Sequence, residues 1–389
     1  MPVFFGSFEV LLGTDRRLGA AKGIMNRFGC IAVLWFWGCV ALQAAPAENI
    51  FLITADGLRW QEVFRGAEDM PLGKTYGNLG NSNAIQKEFR RVTPADSRSV
   101  LMPFLWETIS KEGQIWGNRD KHSEVRVSNG FNFSYPGYNE FLTGAPDASV
   151  TSNDRILNRN TNVFEWISGR PGFRGKVAAV VNWDVLPWIL NGPRSRIPIW
   201  SGFEVPEGTE RLAVPSALSE MVERGRTVWA GVLLDTFVGY AAKHTVRTLK
   251  PRAMYVSFGE TDDWAHEGNY ERYLRAIHEF DRFVGELWTL VQSMPEYRGK
   301  TAFLISVDHG RGAAPVAWKT HGREIPESAS IWFAAIGPGI PPLGERADTP
   351  PVLQAQVAAT VATLVGEDFA GSRPEIRPPL PLLIFATRP

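Results

Sequence analysis

"NIFLITADG" (residues 49–57) runs through Ile50, Phe51, Leu52 and Ile53 without a charge, then stops at Asp56 and Gly57. An uninterrupted apolar run of this length, rich in β-branched and aromatic residues, reads as a strand buried on both faces. A parallel sheet between helices is built from such strands. Four further runs have the same form: "KVAAVVNWD" (176–184), "AMYVSFGETD" (253–262), "TAFLISVDHG" (301–310) and "SIWFAAIGPG" (330–339). Helical spacing separates them. It is clearest over 269–292, where Leu274, Ile277, Phe280, Val284, Leu287 and Val291 share one face. The alternation predicts an α/β fold, a three-layer sandwich around a central, mostly parallel sheet.

In open α/β sheets ligands bind beyond the carboxyl ends of the strands, and that is where the acids of this chain fall. Asp56 ends the first run, Asp262 the run at 253–262, and Asp308–His309 the run at 301–310. Residues 65–130, rich in Gly, Asn and charge, read as an irregular insertion. The Pro-rich stretch 373–383 reads as an extended surface tail. No repeat or linker divides the chain, so 45–389 is expected to form a single domain.

A length of 389 residues suits one large α/β domain. The 41 basic and 41 acidic residues balance, which argues against nucleic-acid scaffold binding or attachment to an anionic membrane as the main activity. The stretch "MNRFGCIAVLWFWGCVALQAAPAEN" (25–49) has one arginine, a short apolar run and small residues at Ala44 and Ala45. That is the layout of a secretory signal, expected to occupy 1–44 with Met25 as its true start. The apolar run is too short to favour a spanning helix. No membrane span is expected after its removal, and the mature protein is expected to be periplasmic or secreted. Both cysteines, Cys30 and Cys39, fall in this leader. A metal in the remainder must therefore be held by His, Asp or Glu.

The chain has six histidines. His266 follows Asp262 by four residues, His309 follows Asp308 directly, and His321 lies in the Gly-flanked "WKTHGRE". Each has a plainer reading by itself: "ADG" is a common turn after a strand, "DHG" equally so, and Asp262 suits a helix start. His278 sits on the 269–292 helix, and His122 and His244 carry no pattern. Taken together, Asp56, Asp262 and Asp308 with His266, His309 and His321 suffice for two metal sites of three protein ligands, with positions open for substrate.

The order and context of these motifs resemble the alkaline phosphatase superfamily of metallohydrolases, in particular its nucleotide pyrophosphatase/phosphodiesterase branch. The resemblance extends over residues 49–370. It implies an alkaline-phosphatase-like fold and two divalent metal ions, zinc first and manganese as the alternative. One would be held by Asp56, Asp308 and His309, the other by Asp262, His266 and His321. The family's nucleophile falls at Ser134, in "NFSYPGYNEFLTG" (132–144). A serine at a helix start has backbone N–H groups and the helix dipole beside it, which suits a phosphate. Asn153 falls near the position of an asparagine that helps to hold the phosphoryl group. Asp263 matches no ligand position and reads as a helix cap or a support behind the ligands.

The resemblance thus implies a two-metal hydrolase of small-molecule phosphate esters, diesters or monoesters, working through a phosphoseryl intermediate. A sulfatase-like sulfuric ester hydrolase is the alternative. It is disfavoured because Tyr138 stands where sulfatases carry arginine, although Pro136 is kept. A non-catalytic, metal-stabilised binding protein is a further alternative, and it would have no need of Ser134.

Overall fold

The computed structural model describes residues 46–69, 71–80, 82–225 and 228–382. The expected leader, with Met25, Cys30 and Cys39, lies outside the described residues. Among the described residues eight strands form the main sheet: β1 (Asn49–Ala55), β2 (Gly113–Trp116), β3 (Val177–Val181), β4 (Ile199–Trp200), β5 (Ala253–Phe258), β6 (Thr301–Ser306), β7 (Phe333–Ile336) and β8 (Gly344–Glu345). Their order across the sheet is β8-β2-β7-β6-β1-β5-β3-β4. Only β7 runs antiparallel to its neighbours β6 and β2; the other pairings are parallel. The sheet is therefore mostly parallel, as expected.

Every residue of β1, β3, β5, β6 and β7 is buried, which is why these strands read as continuous apolar runs rather than alternating ones. Odd- and even-numbered side chains of β5 point to opposite layers. Tyr255 packs against Phe141 and Phe164, and Phe258 packs against Phe280 and Phe283. The first pair lies on helices α1 (Ser134–Thr143) and α2 (Val163–Ser168), the second on α5 (Tyr270–Ser293), with α3 (Asp235–Thr248) beside it and α4 (Glu260–His266) leading in. This is a three-layer sandwich. All six apolar positions singled out over 269–292 are buried in α5, whose first turn is capped by Asn269 accepting from the Arg272 N–H.

Two stretches differ from expectation. Residues 65–130 are not irregular: they hold helices Ser82–Phe89 and Pro94–Leu101, further short turns of helix, and β2 of the main sheet. Those helices are short and polar in composition. Burial of Phe89, Leu101 and Leu105 in the core holds them, rather than intrinsic propensity. The run at 330–339 divides in two. Ser330–Ile331 joins a separate three-stranded sheet with Val125–Arg126 and Val352–Leu353, while β7 enters the main sheet. The break falls at the buried Trp332, whose indole N–H donates to the Leu58 carbonyl at 3.1 Å.

Register places the site. Ala55 of β1 pairs with Phe258 of β5, and Thr54 pairs with Ser306 of β6. Three chain segments therefore leave the middle of the sheet at one level, carrying Asp56, Gly259 and Asp308. Sheet order reverses about β1, which makes this edge a topological switch point of the kind where ligands bind.

Candidate active site

Asp56 lies one residue beyond β1, with its N–H bonded to the Phe258 carbonyl at 2.9 Å. Its Oδ2 accepts from the hydroxyl of the fully buried Tyr138 at 2.8 Å. Asp308, also fully buried, accepts the Gly57 N–H on Oδ1 at 3.1 Å. The remaining oxygens, Asp56 Oδ1 and Asp308 Oδ2, are buried without a hydrogen-bond partner among the described residues. Each lies 3.3 Å from His309 Nε2.

The tautomer of His309 explains why those contacts are not hydrogen bonds. Its Nδ1 lies 2.9 Å from the Gly310 carbonyl, which can only accept, so Nδ1 carries the proton and Nε2 presents a lone pair. A nitrogen lone pair and two carboxylate oxygens thus face one another in a buried space, an arrangement that a cation completes. The Ser134 hydroxyl adjoins it, with Oγ 3.3 Å from the same Nε2.

The second cluster lies alongside. Asp262 and His266 occupy one face of α4 four residues apart, with Asp262 Oδ2 and His266 Nε2 3.2 Å from each other. His321 brings its Nε2 to 3.0 Å from His266 Nε2 and 3.7 Å from Asp262 Oδ1. Its Nδ1 donates to the Asn132 carbonyl at 3.2 Å, which again frees Nε2. The imidazoles of His309 and His321 stack, 3.8 Å between centroids and 18° between planes, and His309 Nε2 lies within 3.8 Å of Asp262 Oδ1. His309 therefore stands between the two clusters. Asp262 is in the first turn of α4 rather than at a strand end, because β5 stops at Phe258.

Charge in this space is poorly tolerated without cations. Burial and the neighbouring Asp262 push Asp56 up to about 7, and burial with Asp56 raises Asp308 well above the carboxylate range. Burial presses His309 down to about 4, and burial together with His309 lowers His321. Asp262 is the exception. Burial works to raise it, but Arg311, His266 and His321 outweigh burial and hold it well below the ordinary value. Burial and Asp262 lift the adjacent Asp263 to about 8. Asp263 is not a helix cap, since α4 begins at Glu260 after Gly259. Ligand atoms of Asp56, Asp308 and His309 converge in one group and those of Asp262, His309 and His321 in another, with His266 reaching the second through its contacts with Asp262 and His321; oxygen and imidazole donors of this kind fit divalent cations.

Ser134 is the first residue of α1, and the capping position belongs to Phe133, so the hydroxyl is not used as an N-cap. The carboxamide of Asn153 bonds that helix start instead: its Oδ1 accepts the Tyr135 N–H at 2.9 Å. The Asn153 amide nitrogen has no protein partner among the described residues. Two glycines permit the close approach. Gly57 has φ +58, and a Cβ there would lie 2.6 Å from Asp262 Oδ1 and 3.1 Å from His309 Cε1. A Cβ on Gly137 would lie 2.3 Å from the Asp308 carbonyl oxygen, so α1 packs directly on the backbone of Asp308.

The plain motif reading does not reach several residues. Arg311, fully buried, pairs with the Asp262 carboxylate and donates to its carbonyl at 2.9 Å. Gln354 holds the Val307 carbonyl at 2.9 Å and the Asp308 carbonyl at 2.5 Å. Arg59, buried and paired with the buried Glu62 and the half-buried Glu68, donates to the Gly312 carbonyl at 3.0 Å and so ties the segment after Asp56 to the one after His309. The one sequence signal was a basic residue within "DHGRG", where a buried acid needs a counter-charge. His278 bonds the Leu101 carbonyl and packs on Phe89, away from both clusters.

Residues 238–327, which include Asp262, His266, Asp308, His309 and His321, match the model of the Metalloenzyme superfamily. No curated protein matches the chain in sequence. Among solved structures, wild-type alkaline phosphatase PafA is similar at 12% identity and a TM-score of 0.52, over 88% of this chain and 99% of that one. The lipoteichoic acid synthase LtaP from Listeria monocytogenes is similar at 11% identity and a TM-score of 0.52, over 84% and 74%. The shared fold agrees with the alkaline-phosphatase-like architecture expected from the sequence, and neither finding singles out the nucleotide pyrophosphatase/phosphodiesterase branch.

Proposed function

We propose that this chain, an alkaline-phosphatase-like metalloenzyme, hydrolyses small-molecule phosphate esters with Ser134 as nucleophile. The observation that carries the reading is the placement of Ser134 Oγ at a helix N-terminus, 3.3 Å from His309 Nε2 and beside the open oxygen lone pairs of Asp56 and Asp308. Asp56, Asp308 and His309 would hold one divalent cation, and Asp262, His266 and His321 the other. Zinc is the first choice and manganese the second. When bound, such cations lower the pKa of a hydroxyl and offset charge on a phosphoryl group.

The Ser134 oxygen attacks phosphorus in line, its bond to phosphorus forming as the bond to the leaving oxygen breaks. The Ser134 hydroxyl gives up its proton, and the departing oxygen takes up a proton and leaves as the alcohol. Water then attacks the phosphoseryl group, releasing phosphate or a phosphomonoester and restoring the hydroxyl. The α1 N-terminus and the free amide of Asn153 face the reacting group's oxygens in this reading. Phosphate is favoured over sulfate because Tyr138, in the place of the sulfatase arginine, is spent on Asp56. Location in the periplasm or outside the cell rests on the leader layout of 25–49, and among the described residues no helix is long and apolar enough to cross a membrane.

Ser134→Ala should abolish turnover and keep its metals. Bis-p-nitrophenyl phosphate, p-nitrophenyl phosphate and p-nitrophenyl sulfate compared side by side should show a phosphate ester as the fastest substrate. Full activity in Ser134→Ala, or sulfate as the fastest, would overturn the reading.

A further inference from the structure

Glu140 is a fully buried carboxylate that takes no part in either cluster. It lies on α1, the helix that begins at Ser134. Its two oxygens accept the Ser128 N–H at 3.0 and 3.1 Å, the Ser128 hydroxyl at 2.6 Å and the Asn129 Nδ2 amide at 2.9 Å. So much donation to one side chain fixes the loop before the nucleophile back onto the nucleophile's own helix. The other end of the Asn129 carboxamide continues the chain of bonds. Its Oδ1 accepts the Phe131 N–H at 2.8 Å and the Asn132 N–H at 3.0 Å. Those bonds hold Asn132 in a left-handed conformation, φ +54, with its carbonyl turned to His321 Nδ1 at 3.2 Å.

We propose that Glu140 is a positioning residue for the second cluster: through Asn129 it fixes the Asn132 carbonyl that sets the ring orientation and tautomer of His321. The inference rests on the two-metal reading above. A histidine ligand whose far nitrogen loses its acceptor can turn or change tautomer, and such losses typically weaken metal binding about 10–100-fold. Among the described residues no hydrogen bond or ion pair joins Glu140 or Asn129 to the first cluster, so the loss should fall mainly on the second site. Glu140 is also spaced to do this from α1 itself, which couples the position of Ser134 to that of a ligand contributed from almost two hundred residues downstream in sequence.

The test is a zinc titration of the full chain against a chromophoric chelator, resolving two sites, with His321→Ala as the reference for loss at the second one. Glu140→Gln places an amide donor against the Ser128 and Asn129 donors. Asn129→Ala removes the relay at a half-buried surface position and carries the test if Glu140→Gln does not fold. Both should weaken the zinc that His321→Ala loses by about tenfold or more, and leave the other zinc close to wild type. Wild-type affinity at both sites in the relay variants, with one zinc lost in His321→Ala, would overturn the proposal and leave the two-metal reading standing. Equal weakening of both zincs would overturn it too, as a general structural effect. Two tight zincs in His321→Ala would overturn the two-metal reading and the proposal with it.

Discussion

Tyr138→Phe is the sharpest test of how the first cluster is built. The substitution removes one oxygen and keeps the ring, so the contacts with Phe141 and Trp183 at centroid distances of 5.5 and 6.1 Å remain. What is lost is the 2.8 Å bond to Asp56 Oδ2, which turns Oδ1 toward His309 Nε2. Losing a hydrogen bond to a charged acceptor costs about 1.5–3 kcal/mol. Part of that cost falls on the metal-free protein too; loss of a partner behind a metal ligand typically weakens metal binding about 10–100-fold, so zinc binding at Asp56, Asp308 and His309 should weaken within that range. The secondary contact with Ser257 Oγ at 3.3 Å is long and adds little. Chelator competition on the purified protein reads the change directly, and thermal denaturation with and without zinc gives the same difference as a smaller zinc-dependent rise in Tm. Unchanged zinc affinity in a folded Tyr138→Phe protein would refute the claim that Tyr138 orients Asp56.

Gly57→Ala forces a side chain into the left-handed region at φ +58 and places its Cβ 2.6 Å from Asp262 Oδ1. It should cost about 1–2 kcal/mol from the backbone alone, visible as a lower urea midpoint, together with weakened zinc binding. Asp262→Asn should lose the second metal, whereas Asp263→Asn should retain both by elemental analysis, because only Asp262 faces His266 and His321. Asp281 accepts the Phe104 and Leu105 N–H groups at 2.7 and 2.9 Å, and burial pushes its carboxyl up to about 7. The folded chain then holds that proton longer than the unfolded one, so stability falls as pH rises from near 4 toward 7. Asp281→Asn has no proton to lose and should gain on wild type between pH 5 and pH 8; a constant difference in urea midpoints would count against this.

The strands and the six ligand candidates were legible because their signals are local. A strand buried on both faces must be apolar along its length, and Asp262 with His266 shares a helix face by spacing alone. The motif reading placed those six residues, Ser134 and Asn153 without any distance, and the structure brings them to one sheet edge. Tyr138 reads in the sequence only as a departure from a sulfatase pattern, and its bond to Asp56 exists only in the fold. Arg311, Gln354, Glu140 and Asn129 each read as ordinary polar sequence until the partner across the fold is known. The helices within 65–130 are hard to read for a related reason: their apolar residues are sparse in sequence and gain helical structure only by docking on the core.

The sequence by itself determined the layers of the fold, the inventory of oxygen and nitrogen donors, and the absence of any cysteine after Cys39. All of these follow from residue type and near-neighbour spacing. Tertiary structure alone decided that β1 lies between β5 and β6 in aligned register, which delivers Asp56, Asp262 and Asp308 to one edge. It also decided which nitrogen of His309 and of His321 is free, because each tautomer is set by a carbonyl, Gly310 and Asn132 respectively. Burying three carboxylates beside one another is unfavourable unless counter-charges and donors converge on them. Those counter-charges come from parts of the chain that no local pattern connects.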